Sequence, residues 1–292
     1  MGRITDIAWT ATAVPELAGF EKCPGKGCRA ELFEVGGITY HPGATFNPWW
    51  GCTKVDAECV NCYAKVWDRR WGGDNWGPTA PRRTFGPKHW SDPVRFHRHA
   101  RDLGVRLKVF CASMADVFEA RPELDSQRER LWRLIDDTPD IDWLLLTKRP
   151  ENFPEMLPGM QAPPNCWLGV TAGTQESARI RIPLLLNAGA AVRFVSAEPL
   201  LEPLYLWNWL RWRDQGMPRI DWVIAGAESG PGARPAPRVG FTDLRDQCDK
   251  ADVPYLLKQF ADSNGGKIRL PALDGVQHFA FPALYAADGG KL

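Results

Sequence analysis

The 292-residue sequence lacks several features that would assign it quickly to a class of protein. It contains no apolar run long enough to span a membrane, which takes about 18 residues. Residues 1–6 lack the charged and then apolar pattern of a secretory signal, so we expect a cytoplasmic protein. The net charge of +1 identifies no partner by itself, and 44% hydrophobic and 24% charged residues are typical of a soluble globular chain.

Three of the eight cysteines, Cys52, Cys59 and Cys62, lie close together with the spacing C-x6-C-x2-C. In a reducing compartment such cysteines are more often metal ligands or core residues than disulfides. Structural zinc sites normally have four protein ligands, and three thiolates are one short of that number. We favour an iron–sulfur cluster with one open iron. The alternatives are zinc with a fourth ligand such as Cys111, Cys166 or a histidine, and reduced cysteines without metal.

Residues 1–44 read as an irregular leader, because prolines and glycines interrupt any regular element after a short strand predicted at residues 7–9. Within this leader Cys23 and Cys28 enclose a Pro-Gly-Lys-Gly knuckle. As half of a zinc site the knuckle lacks a clear second half, although His41 is a candidate third ligand. We favour a reduced hairpin there.

Short apolar runs alternate with segments of helical periodicity over most of the chain. This pattern predicts an α/β fold with parallel strands, and seven such units fit a complete or partial (β/α) barrel better than an open sheet. The predicted strands are residues 45–50, 107–112, 143–147, 166–171, 193–197, 222–226 and 255–259. The clearest predicted helices are residues 124–135, 175–186 and 242–251, the last with Thr242 as a possible N-cap.

Polar residues follow nearly every predicted strand. Because the carboxyl ends of barrel strands meet at one rim, this recurrence predicts one shared pocket there. The residues concerned are Ser113, Asp116, Lys148, Arg149, Glu198, Glu228 and Lys258. The glycines around Glu228 allow a close approach to a ligand, but no Gly-Lys-Ser/Thr follows, so this is not a phosphate loop.

The segment from Lys65 to Arg101 carries nine Lys or Arg residues against three Asp, together with four tryptophans. Cations and flat rings in this mixture predict a nucleic-acid-binding face. The alternative is a helix and loop with solvated charges and aromatic rings packed on the barrel. The candidate phosphate contacts are Arg69, Arg70, Arg82, Arg83 and Lys88.

The cysteine motif, residues 45–55 (TFNPWWGCTKV) and 59–64 (CVNCYA), resembles the signature of the phage Gp37/Gp68-type proteins, a three-cysteine family similar to radical S-adenosylmethionine enzymes. The similarity continues through residues 146–150 (LTKRP), 193–200 (RFVSAEPL), 221–235 (DWVIAGAESGPGARP) and 257–260 (LKQF). It implies a partial (β/α)6-type TIM-like barrel over residues 45–260, between an N-terminal extension (1–44) and a C-terminal extension (261–292). A phage-encoded member would act in the cytoplasm of its host cell.

The resemblance also implies two cofactors, a 4Fe–4S cluster bound by Cys52, Cys59 and Cys62, and S-adenosylmethionine. An electron donor would reduce the cluster. Ser113 and Asp116 are candidates for the methionyl part, Thr171 and Glu198 for the ribose or the methionyl end, and Gly226 with Glu228 for the adenosyl part. Lys148, a candidate catalytic residue, adds positive charge with Arg149 and Lys258.

The predicted activity is radical modification or repair of a nucleobase in DNA or RNA. The alternatives are a radical enzyme acting on a small molecule or nucleotide, and a non-catalytic, metal-stabilised nucleic-acid-binding protein.

Overall fold

The computed structural model describes residues 7–25, 28, 30–211, 217–230, 232–262, 264 and 266–283. The fold is mixed α/β and contains an eight-stranded, mostly parallel sheet, which confirms the predicted class. The chain divides into two compact units, Met1–Val170 with Ala188–Ala191, and Thr171–Asn187 with Val192–Leu292. Within the described ranges, no helix has the length and apolarity needed to cross a membrane.

The first unit contains four parallel strands of the main sheet and a small antiparallel sheet that precedes them. β1 pairs with β3, and β3 with β2, in antiparallel fashion, while β4, β7, β8 and β9 run parallel in that order. The strands are β1 (Thr12–Ala13), β2 (Phe33–Val35), β3 (Ile38–His41), β4 (Ala44–Thr45), β5 (Trp49–Trp50), β6 (Arg83–Thr84), β7 (Leu107–Cys111), β8 (Ile141–Thr147) and β9 (Cys166–Thr171).

The helices of this unit are α1 (Tyr63–Arg70), α2 (Pro87–Trp90), α3 (Asp92–Leu103), α4 (Asp125–Asp136) and α5 (Phe153–Met156). Helix α3 ends at Leu103 and is followed by Gly104, which adopts the left-handed conformation that favours glycine at a helix C-terminus. In α4 the predicted apolar face is buried, since Leu131, Leu134 and Ile135 all lie in the core.

The second unit continues the alternation of strand and helix. β10, β11 and β12 run parallel, and β13 pairs with β12 in antiparallel fashion. Its elements are α6 (Gln175–Asn187), β10 (Arg193–Ala197), α7 (Trp207–Leu210), β11 (Trp222–Gly226), α8 (Arg238–Lys250), β12 (Tyr255–Ala261), β13 (Lys267–Arg269), β14 (Ala272–Leu273) and β15 (Val276–Gln277).

Four local predictions differ from the structure. The predicted strand at residues 7–9 is a 3-10 turn, Ala8–Thr10, and the leader, predicted to be irregular, contains β1, β2 and β3. The predicted strand 45–50 is two short strands, β4 and β5, separated by the Asn47-Pro48 step, whose proline cannot donate a ladder hydrogen bond.

The fourth difference concerns the start of α8, where Thr242 is not the N-cap. The helix begins at Arg238, and the Thr242 hydroxyl donates back to the Arg238 carbonyl at 3.4 Å. The Gly- and Pro-rich composition of the C-terminal extension predicts disorder for its last few residues, which lie outside the described part of the chain. Whether the strands close into a partial barrel stays a prediction.

Candidate functional site

The three-cysteine loop, residues 51–62, follows β5 and begins at Gly51, whose φ of +114° favours glycine. A Cβ at this position would lie 2.3 Å from the Asn75 carbonyl oxygen, so only glycine fits. The Gly51 N–H donates to the Met114 carbonyl at 3.0 Å, and the Gly77 N–H donates to the Cys52 carbonyl at 3.1 Å. The fold therefore fixes the backbone on both sides of Cys52.

The other two cysteines lie at a 3-10 turn and at a helix start. Asp56 caps the turn Ala57–Cys59 by accepting from the Glu58 N–H at 2.9 Å, and Cys62 is the residue that precedes α1. Cys52, Cys59 and Cys62 are free thiols, each half-buried. The loop thus presents three partly accessible sulfurs within eleven residues.

Arg149, which follows β8, forms a hydrogen bond with Cys52. Its Nη1 donates to Cys52 Sγ at 3.5 Å, and its Nη2 donates to the Thr53 carbonyl at 2.6 Å. Burial and the nearby Asp116 carboxylate raise the pKa of the Cys52 thiol to about 12, against the opposing effect of Arg149. A metal at Cys52 would therefore displace a proton.

Asp116 is buried, and both of its carboxylate oxygens are occupied. Oδ1 accepts from the Phe118 N–H and the Thr147 hydroxyl, and Oδ2 accepts from the Lys148 N–H and from Arg149 Nη1 at 2.9 Å. The role of Asp116 as a contact of the methionyl part of a cofactor stays a prediction. In the structure its hydrogen bonds hold Arg149 and the end of β8.

A second buried ion pair supports the same loop. Arg82 Nε and Nη2 donate to the two carboxylate oxygens of Glu119 at 2.9 and 2.8 Å. Arg82 Nη2 also donates to the Thr53 hydroxyl at 2.8 Å. Arg82 is therefore not the surface phosphate contact that the charge pattern predicted. Its side chain is only 1% exposed because it is enclosed by the loop that it holds.

Ser113 lies half-buried after β7, beside the start of the three-cysteine loop. Asn47 Nδ2 donates to the Ser113 hydroxyl at 3.1 Å, and the Asn47 side-chain oxygen accepts from the Met114 N–H at 2.7 Å. The Tyr63 hydroxyl donates to the Ser113 carbonyl at 2.9 Å. These hydrogen bonds connect Ser113 to Tyr63, the residue that follows Cys62. Lys148 is half-buried at the end of β8.

In the second unit two of the predicted cofactor residues, Glu198 and Glu228, each form an ion pair with a different cation. Glu198 forms an ion pair with Lys258 at 3.0 Å, and Gly226 leaves room for it, since a Cβ there would lie 2.4 Å from Glu198 Oε1. Glu228 is bound by Arg234 through three hydrogen bonds of 2.7 to 3.0 Å. Thr171 is buried at the end of β9.

Four of the five predicted phosphate contacts, Arg69, Arg70, Arg83 and Lys88, are exposed. Of the tryptophans in this segment, Trp71 is 63% exposed and Trp67 is also exposed, whereas Trp90 is buried. The guanidinium of Arg70 lies 5.9 Å from the Trp67 ring centroid. We call Trp67, Arg69, Arg70 and Trp71, which lie on or directly after α1, the basic aromatic face.

The residues that sequence reasoning missed are Glu119 and Asn47. No spacing rule connects either to its partner, because Arg82 and Glu119 are 37 positions apart and Asn47 and Ser113 are 66 apart. The only signal was indirect. Glu119 lies three residues after Asp116, and Asn47 lies within the motif of residues 45–55, each in a segment that follows a strand.

A family model described as "Protein of unknown function (DUF5131)" matches residues 37–282. The chain belongs to the DUF5131 family. The DUF5131 match includes the three-cysteine loop and the residues that fasten it, and it begins after Cys23 and Cys28. The phage Gp37/Gp68-type assignment made from the motifs stays a prediction.

Among solved structures, the chain is similar to a mutant of spore photoproduct lyase, with 10% sequence identity and a TM-score of 0.47. That similarity covers 84% of this chain and 80% of the other. Among curated proteins, none matches this chain.

Proposed function

We propose that this DUF5131 protein is a radical S-adenosylmethionine-type enzyme whose 4Fe–4S cluster is bound by Cys52, Cys59 and Cys62. The observation that carries the proposal is the contact of the buried Arg149 with Cys52 Sγ, made while the same guanidinium holds the Thr53 carbonyl. This contact places a fixed cation beside the first of three free thiols. A thiol that only filled space in the core would not need a charged hydrogen-bond donor beside it.

The donor set fits the cluster. Each thiolate of a 4Fe–4S cluster binds a different iron, so three thiolates leave one iron for an external ligand. Hydrogen bonds to cluster sulfurs and ligands influence the reduction potential, and Arg149 is positioned to donate one. Such a cluster supplies the electron that cleaves the sulfonium of S-adenosylmethionine.

The protein's own residues would bind and orient the cofactor. We propose that the half-buried Ser113 hydroxyl contacts the methionyl part of the cofactor, and that Asp116 is a positioning residue for Arg149. In the second unit, Thr171, Glu198, Gly226 and Glu228 remain proposed contacts of the nucleoside part. Glu228 would then act together with Arg234, which holds its carboxylate.

The test is the metal content and absorption spectrum of anaerobically purified protein. We expect four irons per chain and reductant-dependent release of 5′-deoxyadenosine, both lost in Cys59→Ala. The matched control, Cys248→Ala, replaces a buried cysteine of α8 and should retain both. A colourless wild-type protein, or iron retained in Cys59→Ala, would contradict the proposal.

The exposed basic aromatic face favours a nucleic-acid substrate over a small molecule. Cations bind phosphates, and exposed rings stack on bases that are single-stranded or flipped out of a duplex. Helix α1 carries most of this face and begins directly after Cys62, so the face is continuous in sequence with the three-cysteine loop. We propose that the enzyme modifies or repairs a nucleobase in DNA or RNA.

Charge reversal tests the face directly. Arg69→Glu with Arg70→Glu should weaken DNA or RNA binding at least tenfold at low salt, because two phosphate contacts become repulsive. For duplex DNA the wild-type slope of log K against log salt should be no steeper than about −3.6, the value for four exposed cations. The control Arg133→Glu changes an exposed arginine of α4 that belongs to another surface charge pair.

Two results would separate the alternatives. Cofactor cleavage without any nucleic-acid binding at low salt would favour a small-molecule or nucleotide substrate. Nucleic-acid binding without cofactor cleavage, in protein that holds its metal, would indicate a binding protein.

A further inference from the structure

Four metal-binding side chains from three separate segments converge in the first unit. They are Cys23, Cys28, His41 and His99, and their ligand atoms all lie within 4.8 Å of one another. Cys23 Sγ lies 3.4 Å from His99 Nε2, and Cys28 Sγ lies 3.4 Å from His41 Nε2. We propose that this N-terminal tetrad binds one structural zinc ion, independently of the three-cysteine loop.

The distances fit a single tetrahedral ion. With Zn–S bonds of about 2.3 Å and Zn–N bonds of about 2.0–2.1 Å, tetrahedral angles place sulfur and nitrogen about 3.6 Å apart. A two-iron cluster with two histidines and two cysteines puts the nitrogens and the sulfurs on different irons, so the two kinds of ligand would be farther apart. The tetrad therefore matches zinc, with all four positions filled by protein.

The surrounding residues are built around the ligands. The Cys23 N–H donates to the Ala30 carbonyl at 2.9 Å, and the Cys28 N–H donates to the Gly25 carbonyl at 3.0 Å, which shapes the knuckle. The Ala30 N–H points to Cys28 Sγ at 3.4 Å, as expected for a thiolate ligand. A Cβ on Gly25 would lie 2.2 Å from His99 Cε1, so Gly25 packs directly against the imidazole.

The chemistry of the ligands agrees with this geometry. Cys23 and His41 are buried, at 6% and 3% exposure. Two cysteines and two histidines are a ligand set that structural zinc sites commonly use.

The site explains how the N-terminal extension is attached. His41 is the last residue of β3 and His99 lies in α3, so a zinc ion would join the knuckle to a strand and a helix of the first unit. Both cysteines precede residue 37, where the DUF5131 match begins, whereas both histidines follow it. The sequence alone suggested Cys23, Cys28 and His41, but gave no reason to add His99.

The experiment is metal analysis of the full-length protein in a Cys59→Ala background, which removes zinc bound adventitiously at the three-cysteine loop. We expect one zinc per chain, lost when Cys28→Ser or His99→Ala is added, with a lower melting temperature. His97→Ala, two positions before His99 on α3, should keep the zinc. Zinc retained in both ligand variants would overturn the proposal, as would iron at the tetrad.

A second variant leaves all four ligand residues unsubstituted. Gly25→Ala should weaken zinc binding at least tenfold in competition with a chelator, because the added methyl displaces His99. Gly86→Ala, where an added methyl meets nothing within 4 Å, should not change it. If the ligand variants do not fold, cobalt titration of zinc-depleted wild type decides. One equivalent with a tetrahedral thiolate spectrum supports the site, and no uptake overturns it. The result does not depend on whether the loop holds an iron–sulfur cluster.

Discussion

At the scale of single residues, the Arg82–Glu119 pair supports the three-cysteine loop through the hydrogen bond from Arg82 to Thr53. Both side chains are almost fully buried, and Arg82 also donates to the Asn75, Gly77 and Ala80 carbonyls. These carbonyls belong to the segment that contacts Gly51 and Cys52. The Arg82 guanidinium therefore holds that segment in position beside the loop.

Arg82→Met should destabilise the protein by about 3–5 kcal/mol, since it leaves the buried Glu119 carboxylate with only the more distant Arg149, at 3.9 Å, as a cation partner. The double variant, Arg82→Met with Glu119→Leu, should recover part of that loss, because the buried carboxylate is then removed as well. Chemical denaturation measures both. Arg133→Ala, which breaks an exposed pair with Glu129, should change the free energy of unfolding by no more than about 1 kcal/mol. A loss below that value in Arg82→Met would show that the pair does not hold the loop.

The residues of the site were easier to predict from the sequence than the contacts between them. The cysteine spacing and the cations after β8 were evident in the sequence, but Arg149 and Cys52 are 97 positions apart. Arg82 looked like a surface cation because sequence records charge and not burial. Tertiary packing alone decides which arginine of a basic segment is enclosed.

At the scale of elements, the hairpin of β14 and β15 is attached to the second unit by one apolar side chain. Its two-residue turn, Asp274-Gly275, has both residues at positive φ, the geometry that suits a tight hairpin. Leu273 is fully buried, whereas Val276, three residues later, is 56% exposed. Arg245 of α8 adds an ion pair to Asp274 at 2.6 Å.

Leu273→Ala should destabilise the protein by about 2–5 kcal/mol, because it removes a buried side chain and leaves a cavity. Val276→Ala, in the same hairpin, should change the free energy of unfolding by no more than about 0.5 kcal/mol. Thermal or urea unfolding compares the two. Equal effects would mean that the hairpin is not anchored through Leu273.

Strand positions were predictable because parallel strands are apolar on both faces. β10 and β11 have the predicted bounds, and all five residues of β11 are buried. Helix starts were less predictable. Helix α8 begins four residues before Thr242, and its first turn contains the buried Gly240, which packs against Leu200 and Pro203. That contact depends on the fold, so no capping rule could supply it.

At the scale of the whole molecule, a nearly neutral chain concentrates positive charge in one segment and places only part of it at the surface. Arg82 is enclosed, Arg95 pairs with Asp92, and Arg69, Arg70, Arg83 and Lys88 are exposed. Charge density along the sequence therefore overstates what a nucleic acid could contact. The two proposed metal centres were also unequally visible. Three cysteines stand together in one loop, whereas the N-terminal tetrad is assembled only when α3 brings His99 beside the knuckle.

The three-residue strand β13 has a consequence for self-association. Exposed backbone groups at a sheet edge are templates for pairing with another chain, which leads to aggregation. β13 covers β12 with Lys267, Ile268 and Arg269, all exposed, so its outer edge is very short and carries two cations. Like charges on two approaching copies would repel each other there. This edge resists the addition of a further strand, and concentrated solutions of the protein should remain free of fibrils.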